Sequence, residues 1–344
     1  MVEKQTAYAP LRVLSIDGGG IRGIIPAMVL ERIEAATGQP IARQFDLIVG
    51  TSTGGIMALL LTVPGPNGAP RYTATQITEL YTLHGRDLFS APLGYGKGLQ
   101  PGTFPRYPEE SVTATLNRYF GEVTLGQALA CVVVSAYDLE TCRPAYFKHP
   151  LDRPDPDFYM RDLARATSAF PGLFPPAEIR SVDGGTTRRL IDGGVMSANP
   201  AALAAVYAQG YAWDAPICLV SLGTGLHDTP VPWPAAQGWG SVQWAMEGRL
   251  VETMFTAASF SSDLEAAVRR NLSYQRFQVR LPKERAGTDD ATDANIRGLK
   301  AIVETQFTKP SRREGFDGFG DWPGTFDLVV RLLRETDRYK APAG

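Results

Sequence analysis

The spacing of apolar residues changes period twice between residues 11 and 60. "LRVLSI" and "FDLIV" are short, nearly continuous runs of Leu, Ile and Val, as in strands buried on both faces. "IIPAMVLERIEAATG" and "GGIMALLL" carry longer apolar patterns with helical spacing. The order strand, glycine turn, helix, strand, tight turn, helix predicts a mainly parallel central sheet with helices on both faces, a three-layer α/β/α arrangement. Pro26 falls in the first turn of its helix, where a missing N–H does no harm, and Gly38 closes that helix.

Further along, "ATQITELYTLHG" places Ile77, Leu80, Tyr81 and His84 on one helical face. "ESVTATLNRYF" does the same with Val112, Leu116, Tyr119 and Phe120. "CVVVSAYD" and "RPAYFKH" read as strands paired across "LETC". "RRLID" (188–192) and "PICLVSLGTG" (216–225) are further strands, separated by a helix beginning near Asn199-Pro200. The last third reads as helical, with one strand at "YQRFQVRL". Without an internal repeat or a break in the sheet pattern, residues 11–310 are expected to form one domain. Residues 1–10 would be a tail, and 311–344 a helical extension packed on the same domain. The Gly/Pro-rich stretch 90–108 is the longest loop.

Composition narrows the class of partner. With 344 residues, 44% hydrophobic content and no run near the ~20 apolar residues of a membrane span, the chain reads as soluble and globular. A net charge of −2 without a basic run gives no footprint for nucleic acid. Cys131, Cys142 and Cys218 are odd in number and lack metal-ligand spacing, which points to a reducing, cytoplasmic setting and no zinc site. The N-terminus lacks the pattern of a signal peptide. No P-loop lysine or calcium-loop spacing occurs, so neither a metal nor a cofactor is expected.

The candidate chemistry sits at the strand ends. Gly50-Thr51-Ser52-Thr53-Gly54 is a G-x-S-x-G stretch between a strand and a helix, the setting of an exposed serine nucleophile; the plainer reading is a helix start capped by Ser or Thr. Gly50 and Gly54 supply room in a tight turn, and Ser52 falls at a helix N-terminus that favours negative charge. Asp17-Gly18-Gly19-Gly20-Ile21-Arg22-Gly23 also satisfies G-x-G-x-x-G, the fingerprint of a dinucleotide-binding module. Asp17 would repel a pyrophosphate, however, and no ribose-binding acid ends the second strand. Three successive glycines instead offer amides to a developing oxyanion, with Arg22 reinforcing or positioning them.

Asp192-Gly193-Gly194 ends a third strand; alone it is an ordinary turn, but parallel strands end on one edge, so Asp192 and Ser52 could share a crevice. A base for Ser52 is less obvious. His84 lies on an apolar helix face, His149 in what reads as an exposed loop, and His227 follows a strand end, so that Ser52, Asp192 and His227 fall in the chain order of an α/β-hydrolase triad. A triad esterase using His227 is thus one reading of the spacing.

Together, "DGGGIRG", "FDLIVGTSTGG", "ARATSAFPGLFPP", "LIDGGVMSANPA" and "VSLGTG" resemble, in that order, the patatin-like family of lipid acyl hydrolases, and "DDATDANIRGL" resembles the C-terminal segment of plant patatins. The resemblance implies a phospholipase A or lysophospholipase type of enzyme with Ser52 as nucleophile and Asp192 as base, a dyad without histidine. It implies an oxyanion hole at Gly18, Gly19 and Gly20 with Arg22, with His227 a bystander. A carboxylate of ordinary pKa near 3.9 is a feeble base, so Asp192 must be partly desolvated. The implied substrates are phospholipids or lysophospholipids at a membrane surface, with peripheral association and an oligomer possible. Loops 90–108 (Leu93, Tyr95, Leu99, Phe104, Tyr107) and 231–244 (Trp233, Trp239, Trp244) are candidates for an interfacial lid, although such residues more often pin a loop to its own core.

Overall fold

A computed structural model describes residues 10–93, 95–97, 103–150, 155–211, 215–228, 230–231, 233–246, 249–308 and 321–335. The strands are β1 (Leu11–Ile16), β2 (Leu47–Thr51), β3 (Cys131–Asp138), β4 (Arg143–His149), β5 (Ala177–Arg180), β6 (Thr187–Asp192), β7 (Ile217–Leu222) and β8 (Leu272–Phe277). The first helices are α1 (Ile24–Thr37), α2 (Ile41–Gln44), α3 (Thr53–Thr62), α4 (Ala74–Leu88), α5 (Glu109–Phe120) and α6 (Met160–Thr167). They are followed by α7 (Gly194–Ser197), α8 (Ala201–Tyr211), α9 (Trp233–Ala236), α10 (Ser241–Met246), α11 (Arg249–Ala267), α12 (Asp293–Thr308) and α13 (Trp322–Glu335).

The strands form one sheet in the order β5-β6-β3-β2-β1-β7-β8, with β4 also paired to β3. Pairs β1–β2, β1–β7, β2–β3 and β7–β8 are parallel. β2 and β7 are buried along their whole length, as expected of parallel strands covered on both sides. Alternation splits their side chains between two layers: Leu14, Ile48, Val132 and Val134 join the core under α1, α3 and α4, while Val13, Val49 and Val133 join the one under α8. The three-layer α/β fold read from the sequence is therefore present.

Several local expectations hold as well. Gly38 takes a left-handed φ of 68° and receives the end of α1. β3 and β4 form the antiparallel pair across "LETC", and Ile77, Leu80, Tyr81, Val112, Leu116 and Phe120 are buried. The C-terminal strand runs Leu272–Phe277, starting before and ending within "YQRFQVRL"; beyond it Gln278 Oε1 accepts the amides of Gly225 and Val279. Of the segment beyond residue 310, α13 buries Trp322 against Phe277 and donates from its indole to Gln278 O at 3.1 Å. Residues 1–9, most of the anticipated tail, lie outside the described residues, as does the boundary at 310.

One strand runs differently from expectation. β6 is antiparallel to β3, so Asp192 and Ser52 do not share an edge through parallel strand ends. β6 pairs with only the last three residues of β3, Ala136 to Asp138, entering from beyond the sheet's C-terminal edge and stopping at Ala136. Since Thr51 pairs with the preceding residue, Ser135, this offset brings Asp192 level with Ser52 from the opposite direction.

Candidate active site

Ser52 is held in an unusual backbone conformation, φ 56° and ψ −125°, between β2 and α3. Non-glycine residues rarely adopt positive φ, and the surroundings must over-determine it. A Cβ on Gly50 would lie 2.2 Å from Gly54 O, and one on Gly54 would lie 2.1 Å from Ile16 O, so the two glycines let β2, α3 and β1 approach. The amide of Ser52 donates to Thr167 Oγ1 at 2.8 Å, and Thr167 in turn donates to Ser135 O at 2.7 Å. Thr53 Oγ1 donates to the Tyr81 hydroxyl at 2.7 Å, tying the first turn of α3 to α4.

Ser52 Oγ donates to Asp192 Oδ2 at 2.7 Å. The other carboxylate oxygen accepts the amide of Gly194 at 2.6 Å. Asp192 is fully buried. Burial pushes its carboxyl up to about 7, against the hydrogen bonds from Ser52 and Gly194, which pull it down. Gly193 is required where β6 meets β3, since a Cβ there would lie 2.4 Å from Ser135 O.

The glycine loop lies against the serine: a Cβ on Gly18 would approach Ser52 Cβ to 3.1 Å. Its three amides are not equivalent. Gly18 donates to Ala198 O at 2.8 Å and is already committed, which removes it from the set of free donors expected from the sequence. The amides of Gly19 and Gly20 have no acceptor among the described residues. Gly19 O accepts from Arg22 twice, from its amide at 3.2 Å and its Nε at 3.4 Å. Because a trans peptide points its C=O and N–H in opposite directions, gripping Gly19 O aims the Gly20 amide away from Arg22.

Asp17 does not project its charge onto this loop. Arg276 receives it in a bidentate pair, Nη1 to Oδ1 at 2.9 Å and Nη2 to Oδ2 at 2.6 Å, so the anticipated repulsion of a pyrophosphate has no basis. Burial still raises the Asp17 carboxyl to about 6, with Arg276 opposing. Arg276 also donates to Ser221 Oγ at 2.8 Å and faces Asp263 at 3.3 Å. Asp263 accepts from Asn199 Nδ2 at 2.6 Å. One buried network thus braces both the glycine loop and the segment after Asp192. Gly194, read from the sequence as support for the Asp192 turn, lends its amide to the carboxylate, whereas Thr167, Arg276 and Asp263 were not singled out. The readable trace was Ser259, Ser262 and Asp263, polar residues at helical spacing on one face.

His227 is not joined to the pair. It lines an adjoining cavity rather than the one holding Ser52 and Asp192, its Nδ1 lies 3.0 Å from Leu281 O, and among the described residues it bonds neither of them. His84 contacts Asp87 at 3.1 Å, and His149 ends β4, half-buried rather than in an exposed loop.

Ser52 and Asp192 open into a cavity of about 160 Å³ with a chiefly apolar wall that includes Ile56, Leu88, Phe89, Phe174 and Phe255. Among the described residues no group of three or more His, Cys, Asp or Glu is placed to hold a metal ion.

The site thus joins, on an α/β sheet, a serine in a strained strand-to-helix turn, a buried carboxylate on its hydroxyl and glycine amides without an acceptor among the described residues. The Patatin-like phospholipase model matches residues 14–205. The chain is similar to Patatin-03 of Solanum tuberosum, 31% identical over 96% of this chain and 91% of the relative. It is also similar to Patatin group J-1 of the same plant, 32% identical over 93% and 87%. The chain belongs to the patatin-like phospholipase family, whose class is lipid acyl hydrolase. Among solved structures, VipD from Legionella pneumophila overlaps 87% of this chain and 67% of its own at 11% identity, with a TM-score of 0.32, too low to bear on function.

Proposed function

We propose that the protein is a phospholipase A or lysophospholipase acting through a Ser52–Asp192 dyad. The hydrogen bond of 2.7 Å from Ser52 Oγ to Asp192 Oδ2 carries this reading. As Oγ attacks the ester carbonyl, its proton passes to Asp192, and the oxyanion is met by the amides of Gly19 and Gly20. Asp192 returns the proton to the leaving alkoxide, releasing it and leaving an acyl-serine. Water then attacks the acyl carbon, giving its proton to Asp192, which passes it back to Ser52 Oγ as the fatty acid departs. A carboxyl at about 7 suits this duty better than one at the usual value, because base and operating pH are matched. His227 takes no part in the proton transfers.

Residues 11–310 and α13 would work as one unit, meeting the membrane surface through the α9–α11 side. On α11, Leu250, Met254, Ala257, Ser261, Leu264 and Val268 recur every third or fourth position on the exposed face. The opposite face buries Ser259, Ser262 and Asp263, the reverse of an ordinary surface helix. Such a stripe beside the site suits a lipid interface. Trp233 on α9 is exposed, whereas Trp239 and Trp244 pack edge to face on one another. In loop 90–108, Leu93 is exposed and Tyr107 packs on Phe89 and Phe174; Leu99 lies outside the described residues.

A fluorophosphonate tests the nucleophile. Ser52 should be labelled in the wild type and Asp192→Asn should react at least tenfold more slowly; labelling at another serine, or equal rates, would remove the dyad.

A further inference from the structure

Beside the apolar cavity lies a second one of about 470 Å³ with a different lining. Among the residues that line both are Gly18, Arg22, Phe170, Phe255 and Thr288, and Gly18 lies against Ser52. A ligand with an ester carbonyl at Ser52 can therefore extend in two directions, into an almost wholly apolar chamber and into one whose wall also carries charged and amide side chains.

Most charged groups of the second chamber are already committed. Asp17 is paired with Arg276, Arg106 with Asp289 at 2.5 Å, and His227 Nδ1 lies on Leu281 O. Arg22 and Glu252 are different. Arg22 uses Nε on Gly19 O, while its two terminal nitrogens have no partner among the described residues. Glu252 reaches the chamber from the inward face of α11, one turn before Phe255, and its carboxylate makes no hydrogen bond or ion pair among the described residues. The pair interact through space, Glu252 supporting the Arg22 charge, without coming within ion-pair distance of each other. At the same cavity Gln278 is buried with its Nε2 unpartnered.

A separated cation and anion, both with free hydrogen-bonding atoms, are the complement of a zwitterion. Resting on the hydrolase reading above, we infer that this chamber holds the phosphodiester head group of the lipid and selects one bearing an ammonium, with Arg22 on the phosphate and Glu252 on the ammonium. Guanidinium and phosphate match in geometry, and a carboxylate inside a cavity is screened less than one at a surface. A purely anionic head group satisfies Arg22 but faces Glu252 unfavourably, which is how the site discriminates.

The test compares fatty-acid release from phosphatidylcholine and phosphatidylglycerol with identical acyl chains in detergent micelles, using wild type and Glu252→Gln. Wild type should favour phosphatidylcholine, and the substitution should shrink that ratio by about tenfold, the factor that ~1.4 kcal/mol represents. A ratio that stays within about twofold, or no preference in the wild type, overturns the inference. Binding of short-chain forms of both lipids to Ser52→Ala and to Ser52→Ala/Glu252→Gln, by calorimetry, separates this inference from the hydrolase reading. Glu252-dependent preference in binding without any turnover in the wild type would sink the hydrolase reading and keep the head-group site. Absence of preference in both experiments would sink the head-group site.

Discussion

Asp192 ends a strand antiparallel to β3, yet its carboxylate accepts the Ser52 hydroxyl at 2.7 Å because β6 overlaps only the last three residues of β3. The carboxylate is thus delivered to the serine hydroxyl by register. Fully buried, it has among the described residues no charged neighbour that shifts it and two hydrogen bonds that support ionisation.

Activity should follow the ionisation of Asp192. With its carboxyl at about 7, kcat/KM for a soluble ester should rise with pH through roughly 7 and level above it. A profile already flat from pH 5 to 8 would contradict a base of this kind.

The same burial has a stability consequence of definite sign. The folded pKa of about 7 exceeds the ordinary value of 3.8, so the contribution of Asp192 is fully present below about 4 and is lost as pH rises through about 7. Asp192→Asn should therefore gain stability relative to wild type as pH rises from 4 to 8, by at most about 4 kcal/mol from 1.36 kcal/mol per unit. Thermal melts across that range would check it; a constant difference in Tm would contradict it.

Thr167 is predicted to position the elbow. Its hydroxyl joins Ser52 N to Ser135 O, and valine in its place leaves a buried amide and a carbonyl unpaired. Thr167→Val should cost about 1–3 kcal/mol of stability and reduce kcat with little change in KM. Thermal melts and steady-state kinetics with a soluble ester would read both effects, and wild-type values of each would remove the role.

Gly20 should tolerate nothing larger. Its φ is 59° and an added Cβ would lie 2.0 Å from Thr288 O, so Gly20→Ala must move the loop that carries the free amides. A loss of about 10² to 10³ in kcat is expected, the usual effect of removing an oxyanion donor. Retention of more than a tenth of the wild-type rate would argue that these amides are not the donors.

The core of this site was legible in the sequence because its parts are local. A strand run before Gly50 to Gly54, and an Asp before two glycines, mark turns wherever they occur. What stayed hidden depends on register and on partners far along the chain. "RRLID" reads as a strand but carries no sign of its direction, and its antiparallel course against β3 is set by tertiary pairing. Gly18, Gly19 and Gly20 are identical in sequence, and only the carbonyl of Ala198 separates the committed amide from the free ones. Arg276 is 259 residues from Asp17, a distance over which no motif speaks. Burial of the polar side of α11 against Asn199 and Ala202 is a tertiary fact.

The most direct measurement is fatty-acid release from mixed phospholipid vesicles, followed by mass spectrometry in EDTA, for wild type, Ser52→Ala, Asp192→Asn and His227→Ala. The account predicts release by wild type, loss in the first two variants, and less than a tenfold reduction in the third. Wild-type turnover by Asp192→Asn together with loss in His227→Ala would contradict it and move the base to the histidine.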